Sequence, residues 1–199
     1  MLQTRNVFID TECYIRTKLN LDNITFNTFK NLCSSSELHH VTTSTVKLEV
    51  NRKIDESIKE AVDALTKFQR AGQILNSLHS ADLQPLFKKV EEDGVNAIAK
   101  QRFNKYLVEC NSDTAYAEEI DGEDILTRYF ERKAPFTKDK DNEFRDSISL
   151  LSLKNWLETQ ENEKAYVVSG DKALESYCED DEYLIYVHSL GDLIDLYNQ

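Results

Sequence analysis

Glycine and proline are scarce, at 5 and 2 of 199 residues. So few turn formers favour long regular elements over a loop-rich all-β fold. Cysteine is sparse and scattered. Cys13, Cys33, Cys110 and Cys178 form no CxxC pair and no cluster, which leaves out zinc-site spacing and predicts free thiols in or near the core. No apolar run approaches the roughly 18 residues of a membrane span. The first, Val7-Phe8-Ile9, stops at Asp10 and is too short for a secretory segment, so a soluble, cytoplasmic chain with no membrane partner is expected. Neither GxGxxG nor GxxxxGK[ST] follows a predicted strand, which speaks against a dinucleotide or P-loop site. Histidine offers little for acid–base catalysis: His39 and His40 fall on a predicted strand, and His79 and His188 are isolated. Positive charge is also short. Lys and Arg total 24 against 36 Asp and Glu, a net charge of −12. Taken alone, that argues against phosphate binding. Local charge matters more than net charge, however, and a divalent ion held by carboxylates reverses the field in its own site. Broad, non-specific nucleic-acid binding is the class this charge removes.

What is present is an alternation of strands and helices. Asn6-Val7-Phe8-Ile9 reads as a short buried strand ending at Asp10, and Ile24, Phe26, Phe29 and Leu32 mark a helix. Leu38–Thr43 is β-branched and reads as a second strand. Apolar or small residues at Ile54, Ile58, Ala61, Leu65, Phe68, Gly72 and Leu75 form a helical stripe. That helix is expected to start at the N-cap candidates Ser44 or Thr45. A second helical stretch is predicted over about 83–110, so that residues 54–110 form a long hairpin. The stretch 111–119 gives no clear signal. Helices are expected over 123–132, 142–162, 171–177 and 190–197, a loop over 134–141, and strands over 165–169 and 183–187. This order predicts an α/β fold, a single domain over 1–199 with a central parallel sheet covered on both faces and a helical hairpin insertion.

Ligands of open parallel sheets bind beyond the carboxyl ends of the strands. Asp10 ends the first predicted strand there, and Asp171 follows Val167-Val168-Ser169-Gly170. Helix capping is the ordinary alternative for each. Glu143 and Asp146 lie three apart in the first turn of a helix whose apolar residues Ile148, Leu150, Leu151, Leu153, Trp156 and Leu157 predict burial. Acids at a helix start also suit the macrodipole. Glu49 sits in the first turns of the long helix, off its apolar stripe, where a solvated face is the alternative. Together these acids are hard oxygen ligands suited to Mg²⁺ or Mn²⁺. Clustered carboxylates repel unless a cation holds them, and two metal ions about 4 Å apart are one solution for phosphodiester cleavage.

The pattern resembles the PIN domain, a metal-dependent nuclease fold. Phe8-Ile9-Asp10-Thr11 is similar to its opening strand-plus-Asp motif, Glu49 to its acid after the second strand, and Val167-Val168-Ser169-Gly170-Asp171-Lys172 to its late VSGDKD-like element. Ala134-Pro135-Phe136 and Lys140-Asp141-Asn142-Glu143-Phe144-Arg145-Asp146-Ser147 resemble the PPF and KKxEFPDA elements of one bacterial branch. There Ala134, Arg145 and Ser147 depart from the pattern and both acids are kept. The resemblance implies a three-layer α/β/α fold and endonucleolytic cleavage, of RNA more readily than of DNA. It implies Mg²⁺ or Mn²⁺ ligated by Asp10, Glu49, Asp146 and Asp171, with Glu143 as a fifth acid. Arg145 and Lys172 would contact the substrate backbone, among the nearby cations Lys138, Lys140, Arg52 and Lys53. Tyr14, Tyr116 and Phe136 could stack bases, although core packing is the commoner fate of an aromatic. Toxins and anti-phage effectors occur in the family, so a neutralising or sensor protein and a homo-oligomer are conceivable partners, with the helical hairpin as their surface. A phosphatase of the haloacid dehalogenase type would need Asp where Glu12 stands. The remaining alternative is an inactive interaction module of the same fold, which four retained acids oppose.

Overall fold

The computed structural model describes residues 2–136, 143–161 and 163–199. Among them five strands form one sheet: β1 (Asn6–Ile9), β2 (His39–Thr43), β3 (Asp113–Ala115), β4 (Ala165–Val168) and β5 (Leu184–Val187), in the order β3-β2-β1-β4-β5. All pairings are parallel; Phe8 faces Val41 on one side and Val167 on the other. β1 and β4 are buried at every position, which is why they read as continuous apolar runs rather than as alternating ones. The chain leaves β1 toward β2 on one side and returns to β4 on the other. β1 and β4 therefore flank the point where the winding reverses.

The helices flanking this sheet are α1 (Thr11–Arg16), α2 (Ile24–Ser34), the start of α3 (Ser44–Ala71), α6 (Gly122–Phe130), α7 (Phe144–Thr159), α8 (Lys172–Glu179) and α9 (Leu190–Tyr197). The chain divides into two units, Met1–Val50 with Lys105–Gln199, and Asn51–Asn104. In the first, the core gathers around Phe8, Ile9, Phe26, Phe29, Leu150 and Leu153, each no more than 2% exposed. Tyr14 stacks on Phe26 at 5.4 Å, and Phe136 packs on Tyr129 and Phe144, at 5.5 and 5.0 Å, so both are core aromatics; Tyr116 is exposed. His40 is buried between the Tyr14 hydroxyl (3.3 Å) and Ser112 Oγ (2.6 Å), and burial pulls its pKa down to about 3. It is a structural histidine. All four cysteines are buried free thiols.

The second unit holds the rest of α3, α4 (Gln73–Ser77) and most of α5 (Glu92–Glu109). Phe68 and Phe87 rings meet at 5.9 Å, Gln69 Nε2 donates to the carbonyls of Leu86 and Lys88, and Lys100 pairs with Asp55 at 2.7 Å. Ile74, Leu78 and Ile98 are exposed there. No helix among the described residues is long and apolar enough to cross a membrane.

Several elements differ from expectation. α3 is capped by Thr43, whose Oγ1 accepts from the Val46 N–H at 3.1 Å, and not by Ser44 or Thr45. Ser44 Oγ instead accepts from the Ala117 N–H. The helix expected from residue 83 begins only at Glu92: Pro85 opens a 3₁₀ turn (Gln84–Phe87) and Lys88 is extended. β3 was not foreseen, and neither was α1. The expected ends of α7 at residues 142 and 162, and most of the expected loop over 134–141, lie outside the described residues.

β1 carries the sheet, so truncating its central side chain is expected to cost much of the fold's stability. Phe8→Ala should lower unfolding free energy by about 3–5 kcal/mol, read as a lower urea midpoint with an unchanged slope.

Candidate acidic site

The β1–β4 reversal builds the site. Asp10 directly follows β1, and its backbone N–H donates to the Val168 carbonyl at 3.0 Å. Although Asp10 stands at the N-cap of α1, it makes no side-chain capping bond to that helix. Its Oδ2 accepts from Ser169 Oγ at 2.8 Å, and the backbone N–H of Thr11 is the further hydrogen bond that favours its charged form. Ser169 Oγ also accepts from the Asp171 N–H at 3.0 Å. This hydroxyl therefore spans the two turns rather than serving as the cap of α8. That cap is Asp171, one of whose oxygens accepts from the Ala173 N–H at 2.8 Å.

Glu49 and Asp146 arrive from the helices beside β2. Thr43, the last residue of β2, shares a 2.7 Å hydrogen bond between its Oγ1 and Ser149 Oγ, pinning α7 at the carboxyl end of the strand. Buried Ser147, Ser149 and Ser152 are small enough to let α7 lie close to the sheet. Asp146 is three residues before Ser149, on the same helix side, and so comes to the same edge. Glu49, one and a half turns into α3, is bound by Arg145.

The electrostatics show which acids act on one another. Burial raises the Asp146 carboxyl to a pKa of about 7, with the charges of Asp10, Glu49 and Asp171 adding to it and Arg145 opposing. Burial likewise raises Asp10 to about 6, against the Ser169 hydrogen bond, with Glu49 and Glu12 adding. Asp10, Glu49, Asp146 and Asp171 therefore share one acidic neighbourhood. Glu143 is buried at the start of α7 and is not among the charges that weigh most on Asp146. Lys172 opens α8 and is exposed. Lys138 and Lys140 lie outside the described residues, and Arg52 pairs with Glu56.

Sequence reasoning missed Glu12 and Arg16. Glu12 Oε2 accepts from the Gly170 N–H at 3.1 Å. A Cβ on Gly170 would lie 2.9 Å from that carboxylate and 3.4 Å from Arg16 Nη1, so glycine permits this close approach. The signal was available: Glu12 lies in the turn just after Asp10, and Gly170 just before Asp171.

A PIN domain family model matches residues 7–173. The chain belongs to the PIN domain family. Searches of curated proteins and of solved structures each found no match. PIN domains are generally metal-dependent nucleases that typically use divalent ions. The donors here fit such an ion in kind, being carboxylates with no thiolate or imidazole among them. They do not fit it in position as the chain stands. Among the described residues no group of three or more His, Cys, Asp or Glu is arranged to hold a metal, while Ser169 holds Asp10 and Arg145 holds Glu49.

The raised carboxyls have a sign that can be tested. Both bind protons more tightly folded than unfolded, so without metal the folded state gains stability as pH falls from about 7 toward about 4. Asp146→Asn removes one of these charges. It is expected to be more stable than the unsubstituted protein by about 1–2 kcal/mol above pH 7 in EDTA, with the difference vanishing near pH 4. Urea titrations across that range read it; a variant less stable at pH 7.5 would contradict the crowding.

Proposed function

We propose that this PIN domain is a metal-dependent endonuclease that hydrolyses phosphodiester bonds, in RNA more readily than in DNA, with residues 1–199 acting as one nuclease domain. The observation that supports it most is the sharing of charge among Asp10, Glu49, Asp146 and Asp171 at the carboxyl edge of a parallel sheet, where its winding reverses and where ligands of such sheets bind. These four acids would hold Mg²⁺ or Mn²⁺, with buried Glu143 as a further candidate. The ion would supply charge stabilisation at the phosphate and activation of water. The chain's own residues fix the acids: Ser169 orients Asp10 and the Asp171 turn, Glu12 holds the Gly170 N–H, and Thr43 with Ser149 sets the height of α7. No nucleophilic side chain is required. Lys172, exposed beside Asp171, is suited to the substrate backbone.

Labelled single-stranded RNA and DNA, incubated with Mn²⁺, Mg²⁺ or EDTA, test the reading. The expected outcome is metal-dependent internal cleavage of RNA that falls by about 10²–10³ in Asp146→Asn, the range typical for loss of one key electrostatic group. A folded protein that neither cuts nor binds Mn²⁺ would instead be an interaction module of the same fold.

A further inference from the structure

Arg145 occupies an odd place for a cation. It is the second residue of α7, in the first turn, where the helix macrodipole favours negative charge and opposes positive charge. Its backbone is not free to move away: the preceding Phe144 packs against Tyr129 and Phe136, both at 5.0 Å, and the following Asp146 faces the acidic edge. What offsets the unfavourable helix position is the ion pair with Glu49, together with the opposition of Arg145 to the charge crowding at Asp146. The two partners differ in exposure. The Glu49 side chain is 15% exposed and the Arg145 side chain 51%. Glu49 is fixed at the site, whereas the arginine reaches in from the rim and can swing back to water by side-chain rotation alone, a motion of nanoseconds or less at exposed positions.

We propose that Arg145 is the resident counter-cation of the acidic site, and that a divalent ion binds by displacing its guanidinium from Glu49. This rests on the metal-site reading above and adds its regulation. Without metal, one of the four carboxylates, that of Glu49, is engaged by the chain's own guanidinium. The exchange needs no covalent step. One guanidinium leaves Glu49 for solvent, and one hard cation takes the carboxylate oxygens it vacates. The affinity of a ligand for a site that is competent only part of the time falls by the competent fraction. A pair closed about nine-tenths of the time would therefore weaken divalent-ion binding about tenfold. The protein would therefore load at about tenfold higher ion concentration than it would without the pair.

Two measurements on the full chain test this. In calorimetric Mn²⁺ titrations at pH 7.5, Arg145→Gln should bind about tenfold tighter than the unsubstituted protein. Arg145→Lys should stay near the unsubstituted value, and Arg16→Gln, which removes a nearby charge that does not hold Glu49, should change affinity less than about twofold. Unchanged or weaker Mn²⁺ binding by Arg145→Gln overturns the proposal, as does an equal gain in Arg16→Gln. In EDTA, Arg145→Gln should lower the urea midpoint, and the same substitution made on Glu49→Gln should have no further effect; additive losses overturn the pairing. If no variant binds Mn²⁺ while the losses remain non-additive, the pair stands but the metal-site reading falls, and the competition with it.

Discussion

Like charges gathered at one edge of a sheet repel one another, and the rest of this fold is arranged around holding them there. Desolvation and mutual repulsion both push Asp10 and Asp146 toward their protonated forms. A chain with no reason to gather carboxylates would let these side chains spread into water. Here they are held from three directions. The β1–β4 pairing sets Asp10 beside the Ser169-Gly170-Asp171 turn. The Thr43–Ser149 hydrogen bond sets α7 against the end of β2. The cap of α3 by the same Thr43 hydroxyl fixes where Glu49 begins its helix.

Thr43 and Ser169 thus do comparable work with one hydroxyl each. Both are completely buried, and a buried hydroxyl left without partners would be costly. Each satisfies that requirement by joining two elements: Thr43 joins α3 to α7, and Ser169 joins Asp10 to the backbone of Asp171. The elements of the site are therefore positioned by hydroxyls of residues that carry no charge, and Ser169 takes one oxygen of Asp10 as it does so, beside the oxygens of Glu49 and Asp171 that Arg145 and the α8 cap take.

The sequence made the central strands legible because strands buried on both faces are unbroken apolar runs, as Val7-Phe8-Ile9 and Ala165-Tyr166-Val167-Val168 are. Asp10 and Asp171 could be read because each ends such a run at the edge where ligands bind. β3 was illegible: three residues, Asp113-Thr114-Ala115, at the border of a sheet carry no apolar periodicity, and their pairing with β2 is decided by tertiary contact. The Thr43 cap was missed because the residue also ends a strand, and strand propensity and capping preference compete at that position. Glu12 escaped because its role depends on where Gly170 comes to lie, 158 residues away along the chain. The Arg145–Glu49 pair spans 96 residues and has the same cause: no local pattern reports which distant partner a surface-prone arginine will find.

The charge balance of the chain bears on how a phosphodiester substrate could be held. In residues 51–104 Lys and Arg nearly balance Asp and Glu, so the net charge of −12 belongs to the unit that carries the acidic site. A polyanion gains little there from diffuse attraction, and counterion release requires cations that meet phosphates directly. On the proposed reading, the cations at this edge among the described residues are Arg16, Arg145 and Lys172, joined by the divalent ion itself. Displacing Arg145 from Glu49 would then do two things at once, replacing a single charge at the site by a double one and releasing a guanidinium at its rim, so that the same exchange that loads the metal would first make this strongly negative surface hospitable to a phosphate.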